Sequence, residues 1–422
     1  MILTFIRNRL ADKSDDFTFK RFNYSDPVEL KDNAGLYIHI PFCKNFCPYC
    51  PYNKINYSGE IALGYKDALI KEINLYHRYF GRKSFSSLYI GGGTPTLMIN
   101  ELDEILDHLH KHFNISGSIA IETTPNIIDK KILEKLKTLG FNLISLGIQS
   151  FNNQHLKKIG RAYDSATALK SVDDTLGTGF DSVNIDLIFA IENQTLEDIR
   201  NDLSNAINMG VNQITCYPLF TFPYSEIGEF KKLKKIKLPN NMIRRKMYYF
   251  IHSFLKDNGY ERTTIWSFNK DHKETYSSVT RNYYLGLGAG AGSYNGTAFY
   301  FNTFSVPDYI NSVKSSLPVS INMNISQKLE RIFWLYWKFY ETEISKKQYR
   351  EMFKTDLEND FGSITKMIRF LRFIEIEDEN IIRLNLKGSH WIHLIQNHYA
   401  LNYVSKIWAA SKSTPWPEKI VL

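Results

Sequence analysis

Three of the chain's four cysteines fall within eight residues, Cys43-Lys44-Asn45-Phe46-Cys47-Pro48-Tyr49-Cys50, and the fourth, Cys216, stands far away. A tight loop of three thiols suits a metal centre. Three thiolates hold three irons of a cubane iron–sulfur cluster and leave the fourth iron open, whereas closed iron–sulfur electron carriers use four cysteines. Zinc is the alternative, and its structural sites want a fourth ligand. His39, four residues before Cys43, could supply one. Cys216 lies in a strand-like run and reads as a buried thiol, because free Cys packs as a small apolar side chain; its place on a strand also allows a substrate-facing role.

The cysteine loop follows an apolar run at Leu36–Ile40, and similar runs recur at Ser87–Ile90, Ser118–Thr123, Leu143–Gln149, Ser182–Phe189 and Gln213–Tyr217. They are short and rich in Ile, Leu, Val and Tyr, as buried parallel strands are. Helical patterns lie between them at Ile61–Tyr79, Glu101–Phe113, Lys131–Leu139, 166–178 and 196–209. Asn100 is the expected N-cap of the second of these helices and Gly140 the stop of the third. Strands alternating with helices imply right-handed βαβ units and a parallel sheet. Six such units are too few for an eight-fold barrel, so an open, partial (β/α)6 barrel is expected over residues 35–225.

Polar or Gly-rich features sit at the C-terminal ends of these strands. The cysteine loop follows the first and Gly91-Gly92-Gly93-Thr94-Pro95 the second; Glu122 and Gln149 end the third and fourth; Asp186 lies on the fifth. Ligands bind at that edge in parallel α/β architectures. One such feature means little, and five on one edge argue for a single site.

Residues 1–34 form an N-terminal segment ahead of the barrel. After residue 225 the rhythm changes: a helix at 240–258, then irregular and extended chain through about 310 with the Gly-rich turn Gly286–Gly292, all taken as a barrel extension over 226–324. Residues 325–422 read as a C-terminal helical domain. Its helices are Gln327–Tyr340, Lys346–Phe353 and Ser363–Arg372, and a hairpin of Ile374–Glu377 with Ile381–Leu384 follows. That order is winged-helix-like, which is as often a packing module as a nucleic-acid reader.

The 422 residues include 43% hydrophobic and 14% aromatic residues, enough for a large core or sizeable apolar pockets. A formal charge of +8 favours anionic partners. The Lys and Arg residues are nevertheless spread along the chain, and the densest run, Lys231–Lys237, reads as a solvated face, so nucleic acid is not the expected partner. No apolar stretch is long enough to span a bilayer, and Met1-Ile2-Leu3-Thr4-Phe5-Ile6-Arg7 lacks a signal-peptide layout. A cytoplasmic location follows, where thiols stay reduced.

The spacing Cys-x3-Cys-x2-Cys with an aromatic before the last cysteine resembles the hallmark of radical S-adenosylmethionine (SAM) enzymes. Leu36-Tyr37-Ile38-His39-Ile40-Pro41-Phe42-Cys43 is similar to the oxygen-independent coproporphyrinogen III oxidase family. So, in order, are Gly91–Pro95, Gly147-Ile148-Gln149-Ser150-Phe151-Asn152, Asn184-Ile185-Asp186-Leu187-Ile188 and Tyr284–Ala291. The resemblance covers residues 35 to about 390. It implies an α/β fold, a partial (β/α)6 radical SAM barrel. It further implies that Cys43, Cys47 and Cys50 ligate a [4Fe–4S] cluster and that SAM, one or two molecules, chelates the open iron and is cleaved to a 5′-deoxyadenosyl radical. By the same resemblance Gly92, Gly93 and Thr94 contact the methionyl part, while Glu122, Gln149, Arg161 and Asp186 bind charged and hydroxyl groups of SAM. Tyr37 and Tyr49 flank the cofactor. The partners implied are a small-molecule substrate and a reductant such as flavodoxin or ferredoxin.

Three departures narrow the reaction. The Gly-Leu-Pro-x-Gln-Thr turn of the family reads Ala190-Ile191-Glu192-Asn193-Gln194-Thr195, implying a reshaped pocket edge. Tyr52 stands where the decarboxylating oxidases have a further cysteine. Tyr276–Arg281 stands where the haem-chaperone-like branch carries His-Asn-x-x-Tyr-Trp. The segments Tyr276–Gly286 and Cys216-Tyr217-Pro218-Leu219-Phe220 look more like class C radical SAM methyltransferases and cyclopropanases, which use two SAM molecules on flat aromatic substrates. Cysteines are too few for auxiliary clusters or for methylation through two catalytic cysteines, and no cobalamin domain fits before residue 35. Methyl or alkyl transfer, or cyclopropanation, on a small planar substrate is therefore the leading expectation. Haem binding of the chaperone type and coproporphyrinogen oxidation are the alternatives.

Overall fold

The computed structural model describes residues 17–24, 29–233, 235–270 and 282–422. Met1–Arg7, Lys234 and Tyr276–Arg281 lie outside the described residues.

Six apolar segments form the parallel strands β1 (Gly35–Ile40), β2 (Ser87–Gly92), β3 (Ile119–Thr123), β4 (Leu143–Gln149), β5 (Ser182–Phe189) and β6 (Gln213–Pro218). They are neighbours in chain order. Residues such as Ile38, Ile90, Ile121, Ile144 and Ile185 are wholly buried, because helices cover the sheet. The crossovers are α1 (Gly59–Phe80), α2 (Glu101–His112), α3 (Lys130–Thr138), α4 (Asn153–Lys158) with α5 (Ser165–Gly177), and α6 (Leu196–Met209). Each buries an apolar stripe; on α2 it is Leu102, Ile105, Leu106 and Leu109. Helix α6 is closed at both ends, by a Thr195–Asp198 capping box and by Gly210 in the left-handed conformation. Gly140 terminates the helical stretch after α3 at φ +89° as expected. Asn100 does not cap α2: its backbone is already helical, and its side chain instead accepts from Lys135 Nζ at 3.3 Å.

The sheet does not stop at six strands. β7 (Ser267–Asn269) lies antiparallel on β6. On the opposite side, β8 (Tyr284–Leu287) runs parallel to β1 as a seventh parallel strand. β9 (Gly292–Tyr294), β10 (Ala298–Asn302) and β11 (Val319–Asn324) continue the sheet antiparallel, followed by Thr18–Arg21 and Lys419–Val421; with Glu261–Arg262 beyond β7 the sheet has 14 strands among the described residues. The stretch expected to be irregular and extended thus contributes several short strands to the sheet. Its strands are two to five residues long and interrupted by Gly, Asn and Thr, so they carry too little alternation to be read.

Helices α7 (Glu226–Lys232) and α8 (Asn241–Asp257) follow the barrel, and α9 (Val306–Ser312) precedes β11. The C-terminal region contains α10 (Gln327–Tyr340), α11 (Lys346–Phe353) and α12 (Leu357–Phe370), with the expected hairpin. The winged arrangement gains a third strand, Glu343–Ser345, paired with Ile381–Leu384. Helix α12 starts six residues before Ser363 because it bends at Phe361 (φ −124°) and joins two helical segments. Two further helices, α13 (Leu386–Tyr399) and α14 (Ser405–Ser413), bring the chain back over the barrel. Arg262 pins this region by donating to Ser389 Oγ at 2.8 Å and Leu384 O at 2.7 Å. Lys412 on α14 donates to Pro51 O beside the cysteine loop at 3.2 Å. Among the described residues no helix is long and apolar enough to cross a membrane.

Candidate functional site

The C-terminal ends of β1–β6 open into a cavity of about 640 Å³, within the range of small-molecule sites. Its floor is the cysteine loop. Cys43, Cys47 and Cys50 all line it, with Lys44, Asn45 and Lys54 beside them. A turn (Cys50 N to Cys47 O, 3.1 Å) draws the last two cysteines together, and Lys54 Nζ caps Cys50 O at 2.7 Å. The loop is seated from outside by Ile227 N on α7, which donates to Pro48 O at 3.0 Å, and by Gly160 (φ +71°), where a Cβ would stand 2.7 Å from Pro48 Cδ.

The donor set fits an iron–sulfur cluster better than zinc. His39, the one candidate for a fourth zinc ligand, has both ring nitrogens engaged. Nε2 meets Asn53 O at 2.9 Å, and Nδ1 meets the Tyr37 hydroxyl at 2.7 Å. A carbonyl only accepts, so Nε2 carries the proton and Nδ1 accepts from Tyr37. Burial lowers His39 to about 4 and keeps it neutral. Burial, then the neighbouring Cys50 charge, pushes the Cys43 thiol up to about 12, and burial raises Cys50 as well. A cationic metal centre compensates thiolates held in such surroundings. Gly93 lets the second strand's turn come against the ligands: a Cβ there would stand 2.5 Å from Phe42 O and 2.9 Å from Cys43 Sγ.

The walls are the strand ends. Gly92 (φ +121°) packs on the His39 ring, and its N–H donates to Glu122 Oε2 at 3.1 Å. The other Glu122 oxygen accepts from the Tyr89 hydroxyl. Thr94 N donates to Phe42 O at 2.7 Å, fixing the Gly-rich turn against the cysteine strand. Gln149 ends β4 with φ +68° and accepts from the Tyr217 hydroxyl at 3.1 Å. Asp186 accepts from Asn184 Nδ2 at 2.9 Å; burial, then the Glu122 carboxylate, push it up to about 7. Arg161 donates to Cys47 Sγ at 3.1 Å, Thr124 Oγ1 at 3.0 Å and Tyr163 Oη at 2.8 Å. A planar, permanently charged guanidinium can reach several acceptors at once in this way. Two carboxyls and a guanidinium around one space complement a zwitterionic, hydroxyl-bearing cofactor.

Gly92, Gly93, Thr94, Glu122, Gln149, Arg161, Asp186 and Tyr49 thus share one cavity with the three cysteines. Tyr37 does not line it. Its ring packs beside Tyr89, centroids 5.9 Å apart, and its hydroxyl serves His39. Tyr89, Thr124, Tyr163 and Tyr217 line the cavity and escaped the sequence reading. Tyr163, two residues after Arg161, and Tyr89, two before Gly91, carried a positional signal that could have found them. The roof was not legible: Trp337 and Tyr340 of α10, His393 and Gln396 of α13 and Trp408 of α14 close the space from the C-terminal region. Cys216 is buried on β6, its thiol pushed up by burial, as expected of a packed side chain. Ala190 keeps a left-handed backbone (φ +61°) in the turn where the family has glycine, so that feature of the turn survives the substitution.

Residues 37–206 match the profile of the Radical SAM superfamily. The heme chaperone HemW of Buchnera aphidicola subsp. Acyrthosiphon pisum (strain APS) is 30% identical over 378 residues, 85% of this chain and 96% of the relative. HemW of Bacillus subtilis (strain 168) is 27% identical over 341 residues, 79% of this chain and 90% of the relative. The oxygen-independent coproporphyrinogen III oxidase of Salmonella typhimurium is 32% identical over 231 residues, 54% of this chain and 50% of the relative. The solved coproporphyrinogen III oxidase (HemN) from Escherichia coli superposes with a TM-score of 0.76 at 23% identity, covering 93% of this chain and 97% of that one, which shows the shared fold. Fold and site therefore define a radical SAM protein, whose cofactors are a [4Fe–4S] cluster and SAM. Within that superfamily the chain belongs to the oxygen-independent coproporphyrinogen III oxidase-like family.

Proposed function

We propose that the chain is a radical SAM enzyme whose substrate is a tetrapyrrole, bound in the cavity above the cluster. The observation that carries this is the continuity of the cavity: the cysteines, the carboxyl-lined cofactor walls and an aromatic roof face one space. Two parallel aromatic pairs, Tyr217 with Phe220 (10° between planes) and Tyr224 with Trp408 (4°), offer flat faces to a flat macrocycle. Lys44 and Lys54 line the same space and suit acidic side arms. The relatives above are named as heme chaperones and coproporphyrinogen oxidases, both tetrapyrrole proteins by name, and this moves the reading from alkyl transfer on an unspecified planar substrate to tetrapyrroles.

In this reading Cys43, Cys47 and Cys50 hold the cluster. Glu122, Gln149, Arg161 and Asp186 orient SAM, with Gly92, Gly93 and Thr94 at its methionyl end and Tyr49 alongside. When bound, the cluster would supply the electron for reductive cleavage of SAM, and the roof residues would exclude water from the space above it. A reducing, cytoplasmic setting and a small electron carrier such as flavodoxin or ferredoxin complete it. The domain boundaries proposed are 35–225 for the barrel, 226–324 for its extension and 325–422 for the roof.

The test is anaerobic reconstitution with SAM and dithionite, with and without haem or coproporphyrinogen. Tetrapyrrole-dependent 5′-deoxyadenosine formation is the expected result. S-adenosylhomocysteine beside it identifies methyl transfer, and vinyl formation identifies oxidation. Saturable haem binding with no SAM cleavage under any condition refutes the enzyme reading in favour of a carrier.

A further inference from the structure

The densest basic run of the sequence lies beside the cysteine loop and not in the cavity. A small apolar cluster joins Ile159, Ile191 and Ile227 with Ile236, Leu238 and Tyr49, and Tyr49 stands between the last two cysteines. Three of the segments that enter it carry exposed lysines. They are Lys157 and Lys158 before Ile159, Lys231 and Lys232 after Ile227, and Lys235 and Lys237 alternating with the half-buried Ile236 and Leu238. Hydrogen bonds tie these segments to the loop and to one another. Ile227 N donates to Pro48 O at 3.0 Å, Lys158 Nζ to Glu192 O at 2.9 Å and Lys237 N to Glu192 Oε1 at 2.7 Å. Lys231 stands four residues beyond Ile227, about 6 Å of rise along α7.

Among the described residues none of the six lysines lines the cavity, and none forms an ion pair. Lys158 and Lys231 meet neutral oxygens, Glu192 O and Thr221 Oγ1, and Lys235 lies 5.8 Å over the Phe230 ring. Elsewhere lysines do pair, as Lys66 with Glu104 and Lys346 with Glu358 and Glu377. The carboxylates at hand are Glu192, whose Oε1 is taken by Lys237 N, and Glu226 and Glu229 in the first turn of α7. Positive charge is therefore in excess. Leu233, 53% exposed, sets an apolar contact in the middle of the run. Electron-transfer encounters between proteins use small interfaces, and opposite charge steers them and speeds association. A single-stranded nucleic acid would want exposed aromatic faces for its bases, whereas Phe230 lies under Lys235.

We propose that this lysine face, built from α7, the segment after it and the end of α4, is the docking surface for a small acidic electron-carrier protein. This rests on the radical SAM reading and adds the place where the reductant binds. One electron leaves the carrier, which is oxidised, and enters the [4Fe–4S] centre, which is reduced; no bond or proton moves. The hydrogen bond from Ile227 N to Pro48 O joins α7 to the backbone between Cys47 and Cys50. A carrier docked there faces the ligand loop and leaves the cavity free for SAM and substrate.

The test mixes the cluster-loaded protein anaerobically with reduced flavodoxin and follows cluster bleaching by stopped-flow absorbance. Reduction of the wild type is expected to slow as salt rises, because salt screens exposed charges. Lys232→Glu with Lys235→Glu slows it by an order of magnitude or more at low salt, while dithionite reduces wild type and variant alike. Lys347→Glu with Lys366→Glu, at exposed lysines of α11 and α12, changes the net charge equally and leaves the flavodoxin rate unchanged. Iron and sulfide content reports on folding. If the reversal loses its cluster, Lys232→Gln with Lys235→Gln replaces it and slows the reaction less, in the same direction. Equal flavodoxin rates in the wild type and an intact variant overturn the docking surface. So does a wild type that dithionite reduces and flavodoxin does not, and so does a variant that loses only affinity for single-stranded RNA. A wild type that flavodoxin reduces through this face, yet that never cleaves SAM, keeps the docking surface and refutes the enzyme reading.

Discussion

Asp202 on α6 offers the sharpest test of how the site is supported. Its carboxyl accepts from Phe151 N at 2.6 Å and Ser150 Oγ at 2.8 Å, and so holds the turn that follows Gln149, itself at φ +68°. Burial is the main force on it, opposed by those two donors, and leaves it at about 7. Truncation in Asp202→Ala strands both donors, at about 1–3 kcal/mol each. A second effect has the opposite sign and depends on pH. Between the unfolded value of about 3.9 and the folded value of about 7, the native state binds the extra proton, so native stability falls as pH rises through that window. The fall is about 1.4 kcal/mol per pH unit, or about 4 kcal/mol over the whole window, and the alanine variant lacks it. From pH 5.5 to pH 8 about 1.5 units of the window are crossed, so the disadvantage of the variant shrinks by about 2 kcal/mol. Urea unfolding of the wild type and variant at the two pH values measures this through the midpoint and slope. A difference in stability that does not change with pH refutes the raised carboxyl. A variant with unchanged SAM affinity refutes the idea that Asp202 positions the Gln149 turn.

Three further outcomes are expected. Cys47→Ala abolishes the cluster and SAM cleavage together; a variant that retains a full cluster by iron and sulfide analysis disproves the ligand assignment. Gly93→Ala lowers cluster occupancy by half or more, because its Cβ would lie 2.5 Å from Phe42 O and 2.9 Å from Cys43 Sγ, and backbone must move to admit it; full occupancy would show that the turn is not seated on the ligand. Arg161→Lys keeps the charge and loses the fork that reaches Cys47, Thr124 and Tyr163 at once. Cluster content is then retained while SAM cleavage falls by an order of magnitude, and an unchanged rate would mean that charge alone suffices.

The barrel was legible because each of its strands is a short apolar run between amphipathic helices, and burial on both faces removes any alternation that could mislead. Leu143–Gln149 and Ser182–Phe189 match their expected bounds, and the functional groups sit at strand ends where connectivity alone places them. What depends on long-range packing was not legible. The Gln396 amide meets Tyr336 O across 60 residues, and Lys412 meets Pro51 O across 361, so the roof is assembled by contacts that leave no local trace. Helix α13 mixes His390, Trp391, His393 and Gln396 with its apolar positions and reads as neither core stripe nor surface; of these four only His393 and Gln396 line the cavity, while Trp391 is exposed and His390 packs on Tyr248. Tyr37 is placed differently from expectation: it stands in register with the cavity-lining Tyr89 on the neighbouring strand, yet it does not itself line the cavity, and its hydroxyl is spent on His39.

The Gly-rich turn Gly286–Gly292 acquires its meaning from the seventh parallel strand. It does not line the cavity, and its glycines are needed for close approach. A Cβ on Gly288 (φ +99°) would lie 2.5 Å from His39 O and from Tyr65 Oη, and one on Gly290 (φ +79°) would lie 2.9 Å from Asn53 Nδ2. The turn is bound where it lands. Gly288 N and Asn302 Nδ2 donate to the buried Glu72 carboxyl at 2.8 and 2.7 Å, the Tyr309 hydroxyl does so at 2.5 Å, and Ala289 N donates to Tyr65 Oη at 2.8 Å. Tyr65 in turn donates to His39 O at 2.8 Å, and Asn53 Nδ2 to Ala289 O at 3.1 Å and Phe304 O at 2.8 Å. His39 and Asn53 are the residues flanking the cysteine loop on either side, and they are joined to each other through His39 Nε2 and Asn53 O. Both ends of the metal-binding loop are therefore tied to a segment more than 230 residues further along the chain. The ties run through buried hydrogen bonds whose loss would strand several polar groups at once. Docking of the strand Tyr284–Leu287 on β1 and seating of the cysteine loop are thus one structural event, and the cluster site is as much a product of the sheet's far half as of the motif that announces it.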